Sequence, residues 1–171
     1  MNQITPASIS AFAGHQSDGS RNRIAIISAS WHSDIVGRSR DAALAELQRS
    51  GTAAECIDCF DVPGAFEIPL LAQKLAQTGR YAGIIACALV VNGGIYRHEF
   101  VSSAVIDGLM RVQLDHGTPV FSAVLTPRDF HDHEEHHRFF SGHFVKKGTE
   151  VAQACNQTLA TLRAVESLRG A

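Results

Sequence analysis

The chain has no excess of one charge to spend on a polyanion. Its 15 Lys and Arg against 17 Asp and Glu leave a formal net charge of −2 over 171 residues. Basic residues never run together beyond the pair Lys146-Lys147. A nucleic-acid surface needs clustered cations, so nucleic acid is excluded as a partner. Long apolar runs are missing as well. The longest, residues 81–91, is about half of the ~20 residues that a membrane span requires, so no membrane partner is expected. The first residues offer no basic region followed by a long apolar core, which argues against a secretory leader and for a cytoplasmic location. Cysteine is scarce: Cys56, Cys59, Cys87 and Cys155. The first two form a C-x-x-C, but no second such pair exists to complete a zinc site. Residues 55–60 lean apolar and read as a strand, on which positions three apart point to opposite faces. Free thiols in a reducing compartment fit this usage.

What is present suits a packed core. Apolar residues make up 45% and charged residues 19%, and the length suits one domain. Residues 1–22 are polar with little periodicity and read as a flexible N-terminal arm. Residues 23–171 read as a single domain. A short buried strand at 23–30 leads to a helix that Asp34 can cap, running to about Arg49 and stopped by Gly51. The cycle repeats: a strand at 54–60, then a helix at 66–77 with Pro69 tolerated in its first turn. The run at 81–91 lacks alternation, as expected of a strand buried on both faces. A helix follows from 95 or 96 to about His116, then a strand at 119–125. A polar helix at 129–140 and a long final helix at 147–168 complete the chain. This alternation predicts an α/β fold, a three-layer sandwich whose mainly four-stranded parallel sheet is flanked by helices in a flavodoxin-like arrangement.

In such sheets ligands bind beyond the carboxyl ends of the strands, so four places come into question. At 30–34, Trp31 and His32 directly follow a strand; the only tryptophan can stack on a flat heterocycle or simply cover the sheet end. At 61–67, Gly64 and Ala65 lie between Pro63 and Pro69, so the backbone is stiff and closely approachable. Glu67 there either favours the helix dipole or accepts hydrogen bonds from a polyol or amine. At 89–98, Gly93-Gly94 between a buried strand and a helix N-terminus makes an anion site. The Walker lysine and the G-x-G-x-x-G spacing are both absent, so a short phosphate ester fits better than a nucleotide. Arg97 adds a permanent cation, and His98 an imidazole able to move protons near neutral pH. Beyond 126–128 lies a His-rich stretch with five of the nine histidines: His131, His133, His136, His137 and His143. His133 and His137 have the i, i+4 spacing of a metal pair, but the H-E-x-x-H order is not met. A histidine binding substrate phosphate is the favoured reading there, and no metal or other cofactor is expected.

The heptapeptide Pro63-Gly64-Ala65-Phe66-Glu67-Ile68-Pro69 resembles the signature of the lumazine synthase family, the penultimate enzymes of riboflavin biosynthesis. The aromatic after the first strand and the glycine turn after the third fall in register with it, over residues 23–168. Gly93-Gly94-Ile95-Tyr96-Arg97-His98 is similar to the second, decameric class. The resemblance implies condensation of 5-amino-6-(D-ribitylamino)uracil with 3,4-dihydroxy-2-butanone 4-phosphate, releasing phosphate and water. It implies that Trp31 and His32 meet the pyrimidine and that Ala65, Phe66 and Glu67 meet the ribityl chain. Leu89, Val90 and Val91 would line the ring edge, and Ser122 would reach it from a neighbouring subunit. Gly94, Ile95, Arg97 and His136 would hold phosphate. It further implies a homopentamer, or a dimer of pentamers, with sites between subunits. One departure is visible. The family pattern places a histidine four residues after the first glycine of the turn, where this chain has Arg97, with His98 one later. Both are expected to line the site, His98 as the titrating group. Two rivals stay open at this point: a carrier that binds flavin or lumazine without catalysis, and a metal-dependent hydrolase built on the His-rich helix.

Overall fold

A computed structural model describes residues 22–92, 94, 97–128, 130 and 134–168. Residues 1–21 of the expected N-terminal arm, Gly93, Ile95, His131 and His133 therefore lie outside the described residues. Four strands form one parallel sheet: β1 (Arg23–Ala29), β2 (Ile57–Val62), β3 (Tyr81–Leu89) and β4 (Val120–Leu125), in the order β2-β1-β3-β4. Central β1 and β3 are buried along nearly their whole length, which is why their sequences are unbroken apolar runs. Edge strands β2 and β4 carry the polar residues Asp58, Asp61 and Ser122.

Helices cover both faces. α2 (Ile68–Gln77) and α3 (His98–His116) lie over the face that presents Ala25, Ile27, Ala86 and Ala88. α1 (Ser33–Arg49) and α4 (Glu134–Ser167) lie over the face of Ile24, Ile26, Ile85 and Cys87. Residue alternation along β1 and β3 thus feeds two cores from one sheet.

Several element boundaries differ from expectation, four of them with consequences for the packing or the site. α1 starts at Ser33, with His32 rather than Asp34 at its cap and no side-chain capping bond. Residues Ala54–Cys56 form a 3-10 turn, so Cys56 sits off the strand that holds Cys59. α3 begins at His98 because Arg97 is still extended. The two helices expected at 129–140 and 147–168 are a single helix of 34 residues, roughly 50 Å long. The buried pair Phe140 and Phe144 carries the apolar face across the polar stretch around Gly142. Gly148 then lets α4 lie directly on α1: a Cβ at that position would fall 2.2 Å from the Ser39 carbonyl oxygen.

At the amino end of the sheet, three strands are tied by one carboxylate. Asp58 Oδ2 accepts from Arg23 Nε at 2.7 Å and from the Tyr81 hydroxyl at 2.9 Å. No described helix is long and apolar enough to cross a membrane. All four cysteines are free.

Candidate functional site

The carboxyl end of β1 is shaped by two backbone bonds and one unusual residue. Ser30 N–H donates to the Val62 carbonyl at 2.8 Å and Trp31 N–H to that of Pro63 at 3.1 Å, so the chain stays beside β2 past the end of the strand. It then turns at His32, the one non-glycine residue of positive φ among those described (56°). That left-handed corner costs about 1–2 kcal/mol. The His32 carbonyl accepts from the amides of Ile35 and Val36, which starts α1.

Trp31 is left outside the corner, 65% exposed. Its indole rests on Gly64, where a Cβ would come within 2.7 Å of the ring. Gly64 is extended (φ −140°), a conformation open to any residue, so glycine is needed there for space alone. The six-membered ring of the indole lies against this backbone and most of the side chain is open to solvent, which leaves surface free for stacking. The same glycine's N–H donates to Glu67 Oε2 at 2.9 Å. Glu67 is exposed, and its other oxygen accepts no hydrogen bond from a described residue. Ala65 is buried beside this turn and Phe66 projects into solvent. Platform and carboxylate are therefore built on one peptide.

At the end of β3, Leu89 and the following Val90 are buried and Val91 is half-buried. Val90 N–H is used within the sheet, donating to the Leu125 carbonyl at 2.9 Å. Gly94 has φ 76° and its N–H donates to Asn92 Oδ1 at 3.3 Å. Arg97 is exposed, with its guanidinium carbon 5.0 Å from the centre of the Phe100 ring. It forms no ion pair with a described residue. His98, one residue on, is enclosed, its side chain 12% exposed. Its Nδ1 lies 3.5 Å from Glu99 Oε2, too far for a good hydrogen bond, and has no closer partner. The open cation and the sheltered imidazole thus occupy different environments.

His136 is half-buried on the first turns of α4, packed against Phe130 (ring centres 6.3 Å apart) and Phe140 (6.0 Å). Its neighbour His137 places Nδ1 3.3 Å from Asp34 Oδ2 and joins α4 to α1. Asp34, expected as a helix cap, is instead this pairing partner. Phe130 was not singled out from sequence. It was visible there only as a lone apolar residue in a polar run, yet it lies at the centre of the ring cluster.

Ser122 does not join the others within this chain. It lies mid-strand in β4 opposite Ala86, three pairs short of the Leu89–Leu125 pair, and so roughly 10 Å from the carboxyl end rather than near it. It is exposed on the edge strand, and its hydroxyl accepts from Val124 N–H at 3.3 Å. Among the described residues no three His, Cys, Asp or Glu side chains are grouped to hold a metal ion.

The sheet end thus offers a flat aromatic surface, a carboxylate oxygen and an unpaired guanidinium. Comparison with known proteins gives this arrangement a context. The sequence model of the family described as 6,7-dimethyl-8-ribityllumazine synthase matches residues 21–163. A 6,7-dimethyl-8-ribityllumazine synthase of Rhodococcus erythropolis is 58% identical over 143 residues, 84% of this chain and 92% of that protein. A 6,7-dimethyl-8-ribityllumazine synthase 2 of Pseudomonas syringae pv. tomato is 56% identical over 146 residues, 85% of this chain and 86% of that protein. Another synthase 2, from Bradyrhizobium diazoefficiens, is 53% identical over 148 residues, 86% of this chain and 87% of that protein.

Proposed function

The chain belongs to the 6,7-dimethyl-8-ribityllumazine synthase family, and from that premise we propose how its residues divide the work of the reaction. The enzyme is a transferase of riboflavin biosynthesis. It condenses 5-amino-6-(D-ribitylamino)uracil with 3,4-dihydroxy-2-butanone 4-phosphate and releases 6,7-dimethyl-8-ribityllumazine, phosphate and water. The observation that carries the assignment of residues is the shared Gly64 peptide, which braces Trp31 and engages Glu67. A pyrimidine stacked on the indole places its ribityl chain over Ala65, Phe66 and the free oxygen of Glu67. Leu89, Val90, Val91 and His32 border the ring. Gly94, Ile95, Arg97 and His136 receive the phosphate.

The amine of one substrate attacks the ketone of the other and, as the carbonyl oxygen leaves as a first water, forms an imine. Phosphate leaves by elimination, the ring closes and water is lost. The reactants need no protein nucleophile or resident cofactor, so alignment dominates the rate enhancement. Arg97 stabilises the departing phosphate and His98 exchanges protons.

The working unit is residues 23–171 as one domain, acting in the cytoplasm within a homo-oligomer, a pentamer or a pair of pentamers. Two features support assembly. Ile106, Met110 and Leu114 form an exposed apolar stripe at four-residue spacing on α3, more than an isolated helix face leaves bare. Ser122 faces outward on an edge strand, where a neighbouring copy can meet it. The test is direct: mix purified protein with both substrates and follow lumazine fluorescence above the uncatalysed background. Acceleration that is lost in Glu67→Gln and Arg97→Ala is expected. No acceleration by the wild-type protein overturns the reading.

A further inference from the structure

We propose that Phe130 is a positioning residue that aims the Trp31 platform by holding the left-handed corner at His32. The inference deepens the proposed function and rests on it. Phe130 is buried, 8% exposed, in the segment between β4 and α4. Its ring meets four others from two further elements. His32 presents its edge with ring centres 5.5 Å apart and planes at 69°. His137 lies at 5.7 Å, Phe140 at 5.3 Å and His136 at 6.3 Å.

Each contact is tilted or edge-on, the favoured arrangement for aromatic pairs. The turn after β1 is therefore tied to the first turns of α4 through the Phe130 ring, beside the His137–Asp34 pair that joins the two helices. What needs clamping is visible in the backbone. His32 holds φ 56° with no side-chain capping bond, and no glycine relieves it. A residue in that region persists only where its surroundings over-determine it. The peptide that His32 turns is the one that carries Trp31, so a relaxed corner swings the indole off Gly64. His136, a phosphate candidate, is packed against the same ring. Phe130 thereby sets the distance between the two ends of the bound substrates while touching neither.

The experiment compares Phe130→Leu, which keeps an apolar filler but removes every ring contact, with Phe130→Tyr, which keeps the ring. Two readouts are taken below the melting temperature of each variant. The first is steady-state kinetics with each substrate varied. The second is emission and acrylamide quenching of Trp31, the only tryptophan in the chain. Phe130→Leu is expected to raise KM for the ribitylaminouracil about tenfold with kcat within about twofold, since a displaced indole loses stacking that holds substrate and transition state alike. Its Trp31 emission and quenching should change, and Phe130→Tyr should restore both readouts. If Phe130→Leu does not fold, Phe130→Met, whose flexible thioether fills the same volume, is read in the same way. A folded variant with a lowered melting point but unchanged KM and unchanged Trp31 quenching overturns the proposal and leaves Phe130 as packing. The tryptophan readout needs no turnover. A wild-type protein that fails to condense the substrates sinks the proposed function, and the quenching comparison still decides the positioning role.

Discussion

The two ends of the sheet are built from the same four strands and treat their polar groups in opposite ways. At the amino end, Asp58 is closed on both sides by Arg23 and the Tyr81 hydroxyl. Burial alone would push its carboxyl up, but those hydrogen bonds and the guanidinium charge outweigh burial and hold it below the usual carboxylate range. Tyr81 answers in the other direction: burial, then its bond to Asp58, pushes the phenol up to about 12. At the carboxyl end, Arg97 has no acid beside it among the described residues, Glu67 uses one oxygen of two, and Trp31 stands in solvent. Satisfied groups fasten strands together; unsatisfied ones remain available to a ligand. Under the proposed function, the comparison separates residues that serve the fold from residues that serve the reaction, and substitutions can test the separation.

The largest effect is expected at the open end. Arg97→Ala should lower kcat/KM for the butanone phosphate about 100-fold, the loss typical of one group aimed at developing charge. The melting temperature should barely move, because the exposed side chain makes no ion pair with a described residue. A large loss of stability would show that Arg97 belongs with the fold.

Asp58→Asn is the mirror experiment. It should cost about 2 kcal/mol of stability through lost charged hydrogen bonds and leave the kinetics intact. The pH dependence follows from the two shifts. Asp58 is depressed in the folded state, so its contribution is present above the ordinary carboxylate range and disappears as pH falls through its lowered value. Tyr81 is raised, so its contribution is present below the ordinary phenol value and disappears as pH rises toward about 12. Urea midpoints across pH should fall at both extremes in the wild type and more gently in Asp58→Asn. Equal profiles would remove the network from the stability argument.

Much of this contrast was legible before any coordinates. β1 and β3 were readable as central strands because burial on both faces leaves no room for polar alternation. Trp31, Glu67 and Arg97 were placed by topology, since residues directly after parallel strands must lie at the sheet's carboxyl edge. The continuity of α4 was hidden because Gly142 and the surrounding polar residues mimic a helix end, whereas the buried Phe140 and Phe144 hold the helix through it. Phe130 was invisible as an organiser because its partners come from segments about 100 and about six to ten residues away, and no local pattern encodes that meeting.

Gly64→Ala probes the joint between platform and carboxylate. The new methyl would fall 2.7 Å from the indole and 3.2 Å from Glu67 Oε2. Both are movable side chains at the surface, so they yield and the backbone keeps its place. The expected result is KM for the ribitylaminouracil raised about tenfold with stability within about 0.5 kcal/mol of wild type. Crystallography or Trp31 quenching would show the ring displaced. An unchanged KM would mean that the indole is not held by Gly64 when substrate is bound.

The smallest effect is expected at His98, and it is the one that decides between neighbours. Arginine is a permanent cation and a poor proton acceptor, so Arg97 cannot supply a titrating group. His98 offers an imidazole that can exchange protons, but it is enclosed and Glu99 lies 3.5 Å away. Water reaches the exposed carboxyl end freely and can carry protons in its place. His98→Ala should therefore lower kcat only about fivefold, below the usual range for a general acid–base group, while flattening the pH–rate profile. Arg97→Ala should do the reverse, with a large loss and an unchanged profile shape. If the profile survives in His98→Ala, proton transfer belongs to solvent or substrate. The departure from the family pattern at position 97 would then be purely electrostatic, an arginine serving the phosphate with no histidine required.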